Sequence, residues 1–247
     1  MVDMITVDAL NMDSKQLNRK IKELVSQGQK EINIINVLGQ RFIGNGIQDN
    51  SLKITIHGVA GNDLGMFMEG VSIELFGNAQ DGVGNTLNGG TISVHGNAGD
   101  VVGYAARGGK IFIEKNVGYR VGIHMKEFEN NVPVIVVGGS AGSFLGEYMA
   151  GGILVILNIN SPKIMKADAI GTGMHGGKIY IRGDVDINNI GKEVVILDID
   201  DNDYKILKNI LKEFGNKFNF NAVELLKDKF IKLKAISHRP YGNLYAY

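Results

Sequence analysis

A chain of 247 residues that balances 26 basic against 26 acidic side chains has no electrostatic footprint for nucleic acid or an anionic membrane. It lacks cysteine, which excludes disulfides, thiolate nucleophiles, Cys-ligated zinc and cysteine-held iron–sulfur clusters. Its 44% hydrophobic content suffices for a core, and the outlier is glycine, 34 residues against 3 prolines.

The N-terminal MVDMITVDALNMDSKQ places Asp3 and Asp8 where a signal peptide needs a basic start and an apolar run. The longest apolar runs, 132–137 and 153–157, are too short to cross a bilayer. A cytoplasmic protein without membrane contact is the expectation. DSKQLNRKIKELVSQG then predicts a helix over 13–28, with Asp13 as N-cap, Gln16 three residues on and Gly28 as the stop. Leu17, Ile21, Leu24 and Val25 share its apolar face. A strand-like EINIINVLG follows. Residues 1–51 thus read as an N-terminal cap whose helix shields the open end of what comes next.

From residue 52 the chain repeats. LKITIHGVAGNDLGMFMEG (52–70), VSIELFGNAQDGVGNTLNGG (71–90) and TISVHGNAGDVVGYAARGG (91–109) superpose almost without gaps. Gly65, Gly84, Gly103 and Gly122 fall 19 residues apart and form a marker column. A second column runs Gly61, Gln80, Gly99, Gly118 and then Gly142; a third runs Gly58, Gly77, Gly96 before Lys115 interrupts it. Beyond Gly122 the rhythm survives with insertions, Gly146 following after KEFENNVP and Gly173 after NINSPKIMKAD. Gly70, Gly90, Gly109, Gly152 and Gly177 end the segments at one corner.

A 19-residue unit holds one short strand and glycine corners but no crossover helix, which needs at least roughly 10–12 residues between strands. The prediction is an all-β-dominated fold, a single-stranded parallel β-helix of six to seven coils over 52–185. Coils would lie about 4.8 Å apart. Ile54 and Ile56, Ile73 and Leu75, and Ile92 and Val94 would stack inward as aliphatic ladders. A left-handed hexapeptide helix fits less well, because its rungs give 18 residues per coil.

Residues 186–247 read as a helical and extended C-terminal cap. DDNDYKILKNILKEFG (200–215) predicts a helix with Tyr204, Leu207, Ile210, Leu211 and Phe214 on its apolar face. Asn221 and Glu224 open a third, short helix. Tyr241, Tyr245 and Tyr247 in the last seven residues either pack back on the coils, the preferred reading, or meet a partner.

The glycines offer no phosphate cradle. VPVIVVGGSAGSFLG (132–146) misses G-x-G-x-x-G, and no G-x-x-x-x-G-K-[S/T] loop occurs. Among five histidines, His57 and His95 share a column with Phe76 between them, two coils or roughly 9.6 Å apart, too far to ligate one metal. His124 and His175 are placed in a second column with Tyr148 intervening, and His238 stands alone in SHRP. Asp63, Asp81 and Asp100 recur on turns before the marker glycines, where capping is the ordinary role of aspartate. Aligned carboxylates would otherwise suit a carbohydrate-binding or carbohydrate-cleaving groove. Arg107 and Arg120 are candidates for an anion. No nucleophile–base–orienter set emerges, so no catalytic, cofactor-binding or metal residue is assigned.

The phrases GDVVGYAARGGKIFIEKNVGYRVGIHMKEF, VPVIVVGGSAGSFLGEYMAGG, IGTGMHGGKIYIRGDV and SHRPYGNLYAY together resemble the GXGXG domain at the C-terminal end of the glutamate synthase large subunit. The resemblance is closest to the stand-alone form found where that subunit is split into separate genes, and it spans nearly the whole chain. It implies a right-handed β-helix with an architectural role. The domain would hold a glutamine amidotransferase subunit against the subunit that carries FMN and iron–sulfur clusters and makes glutamate from 2-oxoglutarate. The cysteine nucleophile and cluster cysteines those reactions need are absent here, so the resemblance transfers no catalytic residue. A related β-helix, found in one of the subunits of formylmethanofuran dehydrogenase, is the nearest rival. Self-association through the prism faces stays open.

Overall fold

A computed structural model describes residues 4–159 and 164–238. In chain order the elements are β1 (Ile5–Asp8), α1 (Ser14–Ser26), β2 (Glu31–Leu38), β3 (Lys53–Val59), β4 (Ser72–Phe76), β5 (Thr91–Val94), β6 (Lys110–Ile113), β7 (Val134–Val137) and β8 (Ala150–Ile156). There follow β9 (Ile164–Met165), β10 (Gly176–Arg182), β11 (Asp184–Val185), a 3-10 turn (Ile187–Asn189), β12 (Val194–Asp198), α2 (Asp201–Phe218), α3 (Ala222–Leu225) and β13 (Phe230–Ala235).

β1 to β8 and then β10 stack in sequence order with every pairing parallel, and β13 and β12 add antiparallel beyond β10. This is a parallel β-solenoid of about seven turns. The ladder starts upstream of residue 52, since β1 and β2 are already paired rungs.

The alternation seen in the sequence sets the register. Ile32, Ile54, Ile73, Ile92, Ile111, Ile135, Leu154 and Ile179 form one column, and Ile34, Ile56, Leu75, Val94, Ile113, Val137, Ile156 and Ile181 the next inward one. All are buried in one continuous core. Each such side chain contributes roughly 1.5–3 kcal/mol by leaving water.

The marker glycines face this core from the opposite wall. A Cβ at Gly65, Gly84, Gly103 or Gly146 would lie 2.2–2.5 Å from the Cδ1 of Ile92, Ile111, Ile135 or Ile179. All four also have φ between +66° and +69°. Glycine alone answers both demands, which is why the 19-residue period is sharpest there. The flanking corner columns are left-handed as well, but they carry side chains, among them Val101, Ala105, Arg120 and His124.

Both ends are closed. α1 has an Asp13–Gln16 capping box and buries Leu17, Ile21 and Leu24 in the main core. At the other end Val194, Ile231 and Leu233 of β12 and β13 join that core. α2 covers no end. It lies along the outer face of the sheet, where Leu207, Leu211, Phe214 and Phe218 form a second core with Phe112, Val136, Val155 and Tyr180. The expected helix over 200–215 is corrected in two places. Tyr204 is exposed, and the helix runs on to Phe218, where Asn219, at φ +59°, ends it, Gly215 leaving room for the Phe220 carbonyl.

Candidate functional site

The asparagines and aspartates at the corners act on backbone. Asn78 Oδ1 accepts from the Asn97 amide at 2.8 Å, Asn97 Oδ1 from Asn116 at 3.1 Å, and Asn116 Oδ1 from Ser140 at 2.9 Å. Beside this ladder, Asp81 Oδ1 accepts from the Asp100 amide at 2.9 Å and Asp100 Oδ1 from the Tyr119 amide at 2.8 Å. Room for these side chains comes from glycine: a Cβ at Gly99 or Gly118 would fall 2.1 or 1.9 Å from the Oδ1 of Asp81 or Asp100.

Asp63 is not in that column. Its amide donates to Asp81 O while Gly82 donates to Asp100 O, so Asp63 aligns with Gly82, at φ +60°. Its Oδ1 accepts from Asn85 Nδ2 at 2.9 Å. The three carboxylates therefore do not form one row.

The first histidine column is a ring stack. His57 lies on Phe76 at 5.2 Å between centroids, and Phe76 on His95 at 4.4 Å. Phe218 of α2 meets His95 edge-on at 4.9 Å, and His95 Nε2 is 3.0 Å from Glu74 Oε1. The second column needs a correction. His124 stacks on Tyr148 at 5.3 Å, but the next coil places Gly173 there, because Gly171, not Gly173, continues the marker column by donating to Leu145 O. His175 lies two residues further and donates through Nδ1 to Gly173 O at 3.2 Å. His238 Nδ1 donates in turn to His175 O at 3.1 Å, which fastens the C-terminal segment to the solenoid. Tyr241, Tyr245 and Tyr247 lie outside the described residues.

Of the two arginines, Arg120 is engaged: its Nε donates to Glu147 at 3.1 Å and its guanidinium sits 4.6 Å from the Phe144 centroid. Arg107 has no carboxylate partner among the described residues. Among those residues, no group of three His, Asp or Glu could hold a metal ion, and no helix is long and apolar enough to cross a membrane.

One ionic cluster escaped the sequence. Asp203, fully buried on α2, accepts from Tyr180 Oη at 2.7 Å, Lys178 Nζ at 3.1 Å and Lys232 Nζ. Burial would push its carboxyl up, yet the bonds from Lys232, Tyr180 and the Asp200 amide hold it well below the ordinary range. Burial, followed by the bond to Asp203, pushes the Tyr180 hydroxyl up. In DDND this acid reads as a helix N-terminus, which it also is, through a capping box with Asp200. No sequence signal reveals its cations, Lys178 on β10 and Lys232 on β13. The cluster fixes α2 to the coils.

Asp81, Asp100, His95 and Arg120 are thus each engaged by a neighbouring coil. The sequence model of the GXGXG motif family matches residues 5–236. The chain belongs to the GXGXG motif family. An uncharacterized protein of Methanocaldococcus jannaschii is 49% identical over 98% of this chain and 96% of its own. In fold, this GXGXG protein is similar to a chain of the formyltransferase/hydrolase complex of Methylorubrum extorquens, solved with methylofuran. The TM-score is 0.62 at 22% identity, covering 91% of each chain.

Proposed function

We propose that this GXGXG protein is a non-catalytic assembly subunit of a modular glutamate synthase, working in the cytoplasm. It would hold an amidotransferase subunit, which releases ammonia from glutamine, against a subunit that carries FMN and iron–sulfur clusters and makes glutamate from 2-oxoglutarate. The chain itself would bind neither cofactor. The observation that supports this reading is the match of the GXGXG family over residues 5–236, beside which four of the candidate groups, Asp81, Asp100, His95 and Arg120, are engaged by neighbouring coils. A long prism closed at both ends offers partners extended, rigid faces.

A second reading follows from the fold likeness, that the chain is the solenoid subunit of a formyl-transferring complex. One purification separates them. The chain, tagged and recovered at mild salt from its own cells, is expected to bring a yellow-brown flavoprotein and a glutaminase-like subunit. A formyltransferase or a hydrolase in their place supports the second reading, and a colourless, solitary protein overturns both.

A further inference from the structure

We propose that the insertion between Gly122 and Gly146 builds a binding site for a small organic monocarboxylate. The inserted loop turns tightly, with Phe128 and Asn131 exchanging backbone hydrogen bonds of 3.1 and 2.9 Å. It is seated at both feet. Asn131 Nδ2 donates to Asn88 O at 2.9 Å, and Glu127 Oε2 accepts from the Gly152 amide at 2.9 Å. Glycine makes room for each foot: a Cβ at Gly108 would lie 2.2 Å from Asn131 Oδ1, and one at Gly151 2.5 Å from Glu127 Cγ.

The loop thereby walls a cavity of about 470 Å³, lined by Glu69, Asn88, Arg107, Lys126, Phe128 and Asn131. Insertions in a repeat array commonly mark its binding face. Asn88, Arg107 and Lys126 donate backbone bonds to Met68, Leu87 and Ala106, so Glu69, Asn88, Arg107 and Lys126 occupy one position on four consecutive coils. Arg107 and Lys126 are adjacent, with backbones about 4.8 Å apart, a spacing at which both can reach one carboxylate. Neither has a carboxylate partner among the described residues, while Glu127 is taken by the Gly152 amide. Glu69, roughly 9.6 Å from Arg107 along the stack, opposes a second negative charge. Phe128, 64% exposed, offers a ring for the apolar body of the ligand.

The test uses the full chain and benzoate as probe, followed by saturation-transfer NMR and calorimetry, with benzamide, phthalate and phosphate as comparisons. Benzoate is expected to bind, benzamide not to, and phthalate and phosphate to bind more weakly than benzoate. Arg107→Gln is expected to weaken benzoate about tenfold and Lys126→Gln about threefold, as loss of charge-assisted bonds requires. Glu69→Gln is expected to strengthen phthalate about threefold. Each variant alters an exposed side chain, and an unchanged unfolding midpoint confirms its fold. Equal binding of benzamide, absence of benzoate binding, or unchanged affinity in both cation variants would overturn the proposal.

Discussion

The Cβ that alanine would bring to Gly103 falls 2.2 Å from Ile135 Cδ1, two coils away. This one distance ties the sequence period to the core, because the residue that turns the corner also has to leave space for the aliphatic ladder. At φ +68° the backbone adds a second penalty. Gly103→Ala is expected to cost about 2–4 kcal/mol, the sum of overpacking and left-handed strain. Ala105→Gly, at the outward left-handed position of the same coil with φ +51°, is the control, expected to stay within about 1 kcal/mol of the parent. Urea unfolding of the two variants checks both; equal destabilisation would detach the glycine period from the core.

Asp203 gives stability a pH dependence of predictable sign. Its folded-state carboxyl titrates below its ordinary value of 3.8, so its contribution is complete above that value and is lost as pH falls through the lower folded one. Tyr180 and Lys232 are shifted upward, so their contributions are present below the ordinary values, 10.0 and 10.5, and are lost as pH rises through the folded ones. Asp203→Asn strands the Lys232 charge without its buried partner and is expected to cost about 3–5 kcal/mol near neutral pH. As pH falls below 3.8, unfolding midpoints should then drop less steeply in the variant than in the parent.

The outer core under α2 can be tested from two sides. Phe214 is fully buried, facing Phe112 at 6.4 Å and Phe220 at 5.6 Å between centroids, and Phe214→Ala is expected to cost about 3–5 kcal/mol. Ser93 sits in the outward column between Glu74 and Phe112, fully buried, and its hydroxyl has no hydrogen-bond partner among the described residues. Ser93→Ala is therefore expected to gain about 1 kcal/mol, because it removes a desolvated group that bonds to nothing. Calorimetric midpoints should move in opposite directions for the two variants.

The interval Gly65–Gly84–Gly103–Gly122 made the coils legible because interior glycines and period-2 aliphatics are both local demands of the solenoid. The same logic slipped where insertions broke the count: Gly171 and Gly173 are both left-handed, at φ +70° and +67°, and spacing alone cannot tell which faces the core. Asp63 slipped by one position for a similar reason, since aspartate suits either the capping or the left-handed place of a corner. The apolar face of α2 announced that the helix packs, but an amphipathic face does not say against what. Asp203 carried the signal of a helix start, and the cations that bury it come from strands 25 and 29 residues away. The wall of the Arg107 cavity was visible only as a break in rhythm.

The aspartate ladder makes the choice between a structural and a carbohydrate-active role for this face testable. Asp81 and Asp100 each accept a backbone amide of the next coil through Oδ1, the ordinary corner-capping role of aspartate, whereas glycosidic cleavage needs a carboxyl that acts as proton donor or base. Replacing both with alanine removes two bonds and exposes their amides to water; since both side chains are at the surface, the cost is expected to be about 1–3 kcal/mol in total. Asp63→Ala, outside the column, removes only the bond from Asn85 and is expected to cost about 1 kcal/mol or less. If the carboxylates serve the fold, Asp81→Asn and Asp100→Asn, which keep an Oδ1 acceptor in place, should restore most of the lost stability, as the parallel Asn78–Asn97–Asn116 ladder already implies. Chemical unfolding of the alanine and asparagine pairs measures this. Binding or cleavage of an oligosaccharide by the parent chain, abolished by the asparagine pair at unchanged stability, would assign those carboxylates to catalysis and end the scaffold reading of this face.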